Sequence, residues 1–179
     1  MKRLLLISLL LLLCVNGVQK VFAQEISTSP AALNVQYDLP YSGILPDNPL
    51  YLLKVLRDNF LSMIITDPLK KANYDLLMAD KRLGGADALL NKGKVTLAIT
   101  TLSKSGNYFY LAIQQAAVAK KQGVNADEVL SKLLTASLKH QQVIFKMEER
   151  TKGDERLVLQ VSQKRAEDFQ KSVEQLKAK

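Results

Sequence analysis

The sequence has 179 residues, and its 25 basic and 17 acidic side chains give a formal net charge of +8 at pH 7. It contains one cysteine and one histidine, which excludes a zinc site that needs several cysteine or histidine ligands. No segment combines dense arginine and lysine with interleaved aromatic residues, so the composition argues against nucleic-acid binding.

The first 23 residues have the pattern of a secretory signal peptide. Two basic residues precede an apolar run over residues 4–15, and the segment closes on the small residue Ala23. The alternative is an uncleaved membrane anchor, which needs about 20 apolar residues, but Asn16-Gly17 interrupts the run. We therefore expect cleavage after Ala23, an extracytoplasmic (secreted or envelope-side) location, and no stable transmembrane span in the mature chain.

Cys14 lies inside this segment. A lipoprotein signal would place Gly, Ala or Ser before an acylated cysteine, whereas Leu13 stands there. We expect Cys14 to be removed with the signal, so the mature chain has no disulfide and depends on its core for stability.

The rest of the chain is predicted to be helical. Residues 24–36 are polar and without periodicity, which predicts a flexible lead-in. Residues 37–179 are predicted to form a single all-α domain, an antiparallel bundle of about five helices preceded by an extended strap. The predicted helices cover residues 49 to about 65, residues 68 to about 91, the segment between turns at 93 and 123, the segment from 125 to a turn at 153, and residues 154 onward.

The stretch over residues 37–58 (YDLPYSGILPDNPLYLLKVLRD) forms the strap and the entry to the first helix. Asn48-Pro49 and Asp67-Pro68 each place an Asx side chain before a proline, which predicts two helix starts. In the strap, Tyr37, Tyr41 and Ile44 are more apolar than a linker needs. We expect them to fold back onto the bundle, with Tyr41 and Ile44 at least partly buried.

In the first helix, the spacing of apolar residues predicts that three leucines face the bundle while three charged side chains face water. The leucines are Leu50, Leu53 and Leu56, and the charged residues are Lys54, Arg57 and Asp58.

The second helix carries a seven-residue repeat in which Leu and Ala alternate along one seam. Its members are Leu69, Ala72, Leu76, Ala79, Leu83, Ala86 and Leu90. Gly84-Gly85 lies beside the seam, although each glycine costs about 1 kcal/mol of helix propensity. We therefore expect a neighbouring helix to be pressed against it, with the third segment as the partner. That third segment is expected to continue, with a bend, through Gly106-Asn107.

His140 is the only histidine, and it lies on an apolar stripe of the fourth helix. The stripe consists of Val129, Leu133, Ala136, His140, Val143 and Met147. A lone histidine in this setting is usually a hydrogen-bonded structural residue, and a catalytic or pH-sensing role is the open alternative. A di-iron site would need a second histidine, so the sequence does not support one.

Other candidates for catalysis are serines and paired acids. A Ser–Lys pair stays open, because several serines coexist with lysines: Ser62, Ser103, Ser131 and Ser137. The acidic pairs lie at helix starts or beside basic residues at helical spacing, which favours solvated helix surface. The sequence therefore assigns no catalytic residue, no cofactor-binding residue and no metal ligand.

Between Asp87 and Asp127 the chain has lysines but no carboxylate. These lysines are Lys92, Lys94, Lys104, Lys120 and Lys121. The simpler interpretation is a solvated face that keeps the protein soluble. The alternative is attachment to an anionic surface such as lipid or cell-wall polymer.

The strap and the first helix resemble a bacterial family of exported helical domains of unknown function. In that family a Pro-Gly-x-Leu-Pro-Asp-x-Pro-Leu-Tyr element leads into the helices, and here residues 43–51 read GILPDNPLY. Residues 66–72 and 79–83 look like the next two blocks of the family, although Ser42 stands where the family usually has proline. The resemblance covers residues 39–108. It implies export and an all-α domain, and it carries over no activity and no catalytic residue.

Taken together, the sequence predicts a non-enzymatic extracytoplasmic helical module that binds an unknown ligand or has a structural role. The partner would be another envelope protein or an anionic cell-surface polymer. The alternatives are an extracytoplasmic enzyme with a carboxylate or Ser–Lys site, and attachment to an anionic surface through the lysines between residues 92 and 121.

Overall fold

The computed structural model of the protein describes residues 34–178. The expected signal peptide at residues 1–23 and the lead-in up to residue 33 lie outside the described residues. Within residues 34–178 the chain forms five helices and no strand, which confirms the all-α prediction. The helices are α1 (Tyr51–Ile64), α2 (Pro68–Asn91), α3 (Val95–Lys121), α4 (Asp127–Glu149) and α5 (Asp154–Ala178). None of these five is long and apolar enough to cross a membrane.

Glycines separate the four long helices at the predicted turns. Gly93, Gly123 and Gly153 have φ angles of 71°, 77° and 70°, a region that residues with a Cβ rarely adopt. Gly93 and Gly123 lie just beyond the ends of α2 and α3, where a left-handed residue lets the chain satisfy the last carbonyl groups. Gly153 lies directly before α5, whereas α4 already ends at Glu149. The predicted turns are therefore confirmed, and α3 runs through Gly106 without a break.

The two predicted Asx–Pro starts behave differently. The Asp67 side chain accepts the backbone N–H of Lys70 at 2.8 Å and caps α2 as predicted. The Asn48 side chain accepts the N–H of Leu50 at 2.9 Å, but α1 begins only at Tyr51. Asn48 therefore stabilises the turn that precedes α1 and not the first turn of the helix.

The Leu/Ala seam of α2 lies at the centre of the core. Its fully buried members are Ala72, Leu76, Ala79, Leu83 and Ala86. Helix α2 packs along α3 and also against α4, while α5 packs against α4 and α3. The small alanine side chains let these helices approach closely, and Phe109 of α3 fills the space between them as a fully buried ring.

Gly84 and Gly85 make room for the segment before α1, residues 34–50. A Cβ on Gly84 would come within 2.8 Å of the Ser42 Oγ atom, and a Cβ on Gly85 within 3.4 Å of the Leu45 Cδ2 atom. Thr101 of α3 is farther from Gly85, at 3.9 Å. The expected partner α3 does pack along α2, but the atoms nearest to these two glycines belong to the extended segment and not to a helix.

The prediction for the orientation of α1 is also wrong. Leu50, Leu53 and Leu56 are exposed, whereas Asp58, which was expected to face water, is buried. Among the described helices, α1 takes part in none of the closely packed helix pairs. In the segment before it, Tyr41 is 88% exposed and the expectation of burial is wrong for its side chain, while Ile44 is 40% exposed.

Helix α2 buries one carboxylate without a partner. Asp75 is 1% exposed, and neither of its oxygens accepts a hydrogen bond within the described part of the chain. Burial raises the pKa of the Asp75 carboxyl, and the nearby Lys71 ammonium opposes part of that rise. A buried carboxylate without donors disfavours its ionised form, so Asp75 lowers the stability of the fold at neutral pH.

Replacing this carboxylate is expected to stabilise the protein. Asp75→Asn removes the charge and keeps the size, and it should increase the free energy of unfolding at pH 7 by about 1 kcal/mol or more. Because the pKa of Asp75 is higher in the folded state than in the unfolded chain, where it is about 3.9, the wild type regains stability as the pH falls toward that value. The difference in free energy of unfolding between Asp75→Asn and the wild type should therefore become smaller at low pH. Urea unfolding followed by circular dichroism between neutral pH and about pH 4 measures both effects.

The exposed Asp168 of α5 supplies the matched control, since Asp168→Asn should change stability by less than about 0.5 kcal/mol at any pH in this range. A difference between Asp75→Asn and wild type that does not depend on pH would contradict the expected titration of Asp75.

Candidate functional site on helix α1

His140 belongs to a buried polar network that joins α2, α4 and the segment before α1. Its Nε2 atom donates to the Asp80 Oδ1 atom at 2.8 Å, and the Tyr37 hydroxyl donates to the Asp80 Oδ2 atom at 2.5 Å. Both His140 and Asp80 are buried. The two oxygens of a buried carboxylate therefore each have a donor, which is the condition for burying such a group at low cost.

The surroundings of this network suit an anchor. The Phe109 ring meets the His140 ring edge-on with a centroid distance of 4.8 Å. Burial, and after it the hydrogen bond to Asp80, raises the pKa of the Tyr37 phenol far above its ordinary value. Tyr37 therefore remains a hydrogen-bond donor and holds residues 34–50 against α2.

Serine chemistry at His140 is not supported by the geometry. A cavity of about 170 Å³ between α3, α4 and α5 is lined by His140 and Ser105, among mostly apolar residues. The Ser105 hydroxyl donates to the Ala79 carbonyl oxygen at 2.8 Å and not to the imidazole. A serine nucleophile would need a hydrogen bond to its base, so the arrangement favours the structural interpretation of His140.

The structure brings two of the candidate serines into contact with a lysine. The Lys177 Nζ atom of α5 donates to the exposed Ser131 hydroxyl at 3.1 Å, and Lys71 of α2 contacts Ser62 across the loop between α1 and α2. The Lys71 Nζ atom donates to the Ser62 carbonyl oxygen at 2.6 Å and also to the Ser62 hydroxyl. A lysine that acts as a general base must be neutral, whereas Lys71 uses its protons in both bonds. The contact therefore holds α1 against α2. The sequence indicated Ser62 as a candidate but not its partner, because Ser62 and Lys71 lie on two different helices whose relative orientation the sequence does not give.

The described residues were also compared with the requirements of a metal site. Within residues 34–178 no three His, Cys, Asp or Glu residues are grouped so that they could hold an ion.

Polar groups on α1 face the bundle. The Tyr74 hydroxyl donates to the Asp58 carbonyl oxygen at 2.7 Å, and the buried Asp58 side chain accepts from Arg57 at 2.7 Å. The Lys54 Nζ atom donates to the carbonyl oxygens of Ser42 at 2.5 Å and Ile44 at 3.1 Å. These bonds orient α1, and its apolar side points away from the bundle as a consequence.

The apolar side of α1 forms a continuous exposed surface, which we call the outer face. Its residues are Leu52, Leu53, Leu56, Phe60 and Met63. At 100° per residue these positions fall on one side of the helix, and Met63 is 81% exposed. Scattered surface leucines are ordinary, but a contiguous set of large apolar side chains marks an interaction surface.

A groove with basic side chains runs beside the outer face. It has a volume of about 470 Å³ between the segment before α1, α1 itself and α2. Its basic residues are Lys54, Arg57 and Lys81, and its apolar residues include Tyr41 and Leu53. None of the residues that line this groove is acidic, so its charge complements an anionic partner.

The lysines between residues 92 and 121 do not lie together. Lys92 and Lys94 both pair with Asp47, at 3.1 and 2.8 Å, and Lys120 donates to the Leu176 carbonyl oxygen at 2.6 Å. Since α3 has 27 residues and rises about 1.5 Å per residue, these two groups lie about 40 Å apart. The basic groove beside α1 is a more concentrated positive surface than the one the sequence suggested.

The fold and this surface define an all-α module with an exposed apolar helix. A family model described as Domain of unknown function (DUF5667) matches residues 43–179, and the chain belongs to that family. The match covers all five helices, and it confirms the assignment to a helical family of unknown function. No curated protein and no solved structure matches the chain significantly.

Loss of the Tyr37 hydroxyl is expected to release the segment before α1. Tyr37→Phe leaves the buried Asp80 Oδ2 atom without its donor, which should lower the free energy of unfolding by about 1–3 kcal/mol. Urea unfolding measures the loss, and amide hydrogen exchange should show faster exchange in residues 34–50. Tyr41→Phe removes a hydroxyl from an exposed ring in the same segment and should change neither measurement. Equal effects of the two substitutions would contradict the anchoring role.

Proposed function

We propose that the protein is a non-enzymatic, extracytoplasmic attachment module whose outer face of α1 binds the surface of an anionic lipid bilayer. The observation that carries the proposal is the outer face itself, an exposed apolar helix side flanked by basic residues. A helix of this kind lies in the plane of a membrane interface, with its apolar side chains below the headgroups and its basic side chains among them.

The apolar contribution comes from side chains that the bundle leaves in water. Full burial of one large apolar side chain is worth about 1.5–3 kcal/mol. The outer face offers several such residues on one side, among them Leu56 and Phe60. Because α1 is held to the bundle by its opposite, polar side, insertion of the outer face requires no unfolding.

The basic groove adds an electrostatic contribution. Each Lys or Arg close to an anionic membrane surface is worth about 1 kcal/mol. Arg57 and Lys54 lie on the side of α1 next to the outer face, and Lys81 of α2 extends the same positive region. Asp58 is the only acidic residue of α1, and it is buried, so no exposed carboxylate on this helix repels anionic lipid.

This charge distribution also bears on a second copy of the chain as the occupant. A symmetric contact between two outer faces brings the same surface patches together. It would therefore place the basic residues Lys54 and Arg57 of both copies near one another, while the one acidic residue of α1, Asp58, is buried and already paired with Arg57 of its own chain. Anionic lipid supplies the missing negative charge, which favours the bilayer.

Export is the first testable part of this proposal. Expression of the full sequence in a bacterial host is expected to give an extracytoplasmic protein that begins at Gln24, because the small residue Ala23 precedes the cut. Mass spectrometry of the exported protein determines its first residue. Ala23→Arg is the matched control and should remain unprocessed. A wild-type chain that is retained with Met1 in place would contradict cleavage.

Membrane attachment is tested with the exported protein and vesicles that contain equal amounts of phosphatidylglycerol and phosphatidylcholine. The double substitution Leu56→Ser with Phe60→Ser should lower the fraction of protein that floats with the vesicles. The partition coefficient calculated from that fraction should fall at least about tenfold. Vesicles of phosphatidylcholine alone, and high salt, should both weaken binding by the wild type, because the basic groove then loses its electrostatic attraction.

The matched control is Leu157→Ser with Val161→Ser, which removes two exposed apolar residues at the same spacing from α5. It should bind vesicles like the wild type. Equal loss of flotation in both double variants would overturn the role of α1. Absence of flotation, together with a protein mass in analytical ultracentrifugation that falls only in the α1 variant, would identify self-association in place of lipid binding.

A further inference from the structure

A second cavity lies under α1, on the side opposite the outer face. It has a volume of about 220 Å³, several times the about 30 Å³ that one water occupies in the liquid. Its lining combines two basic, two phenolic, one amide and one aliphatic side chain: Arg82, Lys104, Tyr51, Tyr108, Asn107 and Val55. None of these six residues is acidic, so the charged groups at the cavity are both positive.

Arg82 is the unusual member of this set. It is only 7% exposed, and its Nε atom has no hydrogen-bond partner within the described residues. Its Nη1 atom makes only long contacts, at 3.5 Å to the Met78 carbonyl oxygen and 3.6 Å to the Met78 sulfur. A guanidinium group stays charged in proteins, so this side chain is a buried cation whose N–H groups are poorly satisfied within the described residues.

The Tyr108 ring holds the guanidinium in place without using those donors. The Arg82 Cζ atom lies 4.2 Å from the centroid of the ring, which is a favourable cation–π distance. The ring supplies no lone pair to the N–H groups. A guanidinium fork matches the oxygens of a carboxylate or of a phosphate, and a phosphate carries enough negative charge to balance a second cation as well.

Two further donors surround the same space. Lys104 is exposed and contributes a second positive charge to the cavity. The side-chain oxygen of Asn107 accepts from Arg165 at 3.0 Å, which leaves the Asn107 amide nitrogen as the donor of that side chain. We propose that this cavity binds a phosphate group, with Arg82 and Lys104 as its charged contacts.

One buried carboxylate competes with this assignment. Burial raises the pKa of the Tyr74 phenol; the Asp58 charge adds to that rise and the Arg82 charge opposes it, so both groups lie near Tyr74. Asp58 does not line the cavity, and its Oδ1 atom is paired with Arg57. Its Oδ2 atom is unpartnered within the described residues, so direct neutralisation of Arg82 by Asp58 is the competing outcome.

The phosphate site goes beyond the proposed function and does not depend on it, because it faces the bundle side of α1. The phosphate could come from the free ion or from a lipid headgroup, and two soluble probes distinguish these sources. Inorganic phosphate represents the free ion, and glycerophosphoglycerol represents a headgroup without acyl chains. Neither probe forms a bilayer. Absence of probe binding therefore does not contradict the proposed membrane attachment, and absence of vesicle flotation does not contradict the phosphate site.

The test is isothermal titration calorimetry of the exported protein with each probe, at constant ionic strength in a buffer without phosphate. Saturable binding of one site is expected for at least one probe. Lys104→Ala should weaken that binding about tenfold, the loss expected for one charge-assisted hydrogen bond, and Arg82→Gln should abolish it. Lys121→Ala removes an exposed lysine from the same helix, outside the cavity, and should leave the affinity unchanged.

Because Arg82 is buried, the Arg82→Gln variant is used only if its circular dichroism spectrum matches that of the wild type. If the variant does not fold, Lys104→Ala still tests the site, because Lys104 is exposed. Saturable binding of either probe that depends on Lys104 and not on Lys121 supports the site and identifies the source of the phosphate. Absence of saturable binding by both probes overturns it and leaves Asp58 as the counter-ion of Arg82. Binding that Lys104→Ala and Lys121→Ala weaken equally also overturns it.

Discussion

The carboxylate of Asp80 sets the constraint on which the arrangement of the N-terminal part depends. A buried carboxylate is tolerated only if donors satisfy its oxygens, and here His140 and Tyr37 supply one donor each. The second bond brings residues 34–50 onto α2, where Gly84 and Gly85 leave space for them. That segment then presents backbone carbonyl oxygens to Lys54 of α1. The position of α1 therefore depends on a polar group buried on the next helix, α2.

Polar contacts also explain why α1 turns its apolar side outward. Hydroxyl and ammonium groups of α2, on Tyr74 and Lys71, bind backbone oxygens on the inner side of α1. Each of these hydrogen bonds specifies a direction, whereas burial of apolar area does not. The core is already closed by the four long helices around Phe109, so the leucines of α1 are not needed to complete it. An apolar helix side that the core does not use is available for another partner, and the adjacent positive charge favours an anionic one.

Helix α1 has a different chemistry on each side. Its outer face is apolar and borders a basic groove, whereas its inner side covers a cavity with a buried arginine. Both sides meet positive charge from α2, through Lys81 in the groove and Arg82 in the cavity. These two consecutive residues point into different spaces because successive residues of a helix are about 100° apart. The proposed lipid surface and the proposed phosphate site are thus separate features of one helix.

The sequence by itself determined the helices, their ends and the seam of the core. Left-handed glycines at 93, 123 and 153, the Asp67 cap and the Leu/Ala repeat of α2 act within a few residues, so local patterns predict them. The sequence also limited metal chemistry, because a single histidine and a single cysteine cannot supply several such ligands. Its prediction of a structural, hydrogen-bonded His140 agrees with the bond to Asp80, but the partner itself could not be named 60 residues away in sequence.

Only the tertiary structure decided which way α1 faces and what covers the glycine pair. An amphipathic pattern identifies the apolar side of a helix, but it does not say whether that side meets the core or lies exposed. The inner contacts of α1 join residues on different helices, such as Asp58 of α1 and Tyr74 of α2. The periodicity of one helix gives no information about which residue of another helix it meets. The same reason explains why Ser62 and Lys71 were not paired from sequence, and why lysines close in sequence proved to be separated along α3. Local periodicity predicts the elements, whereas hydrogen bonds between distant residues determine how those elements face one another.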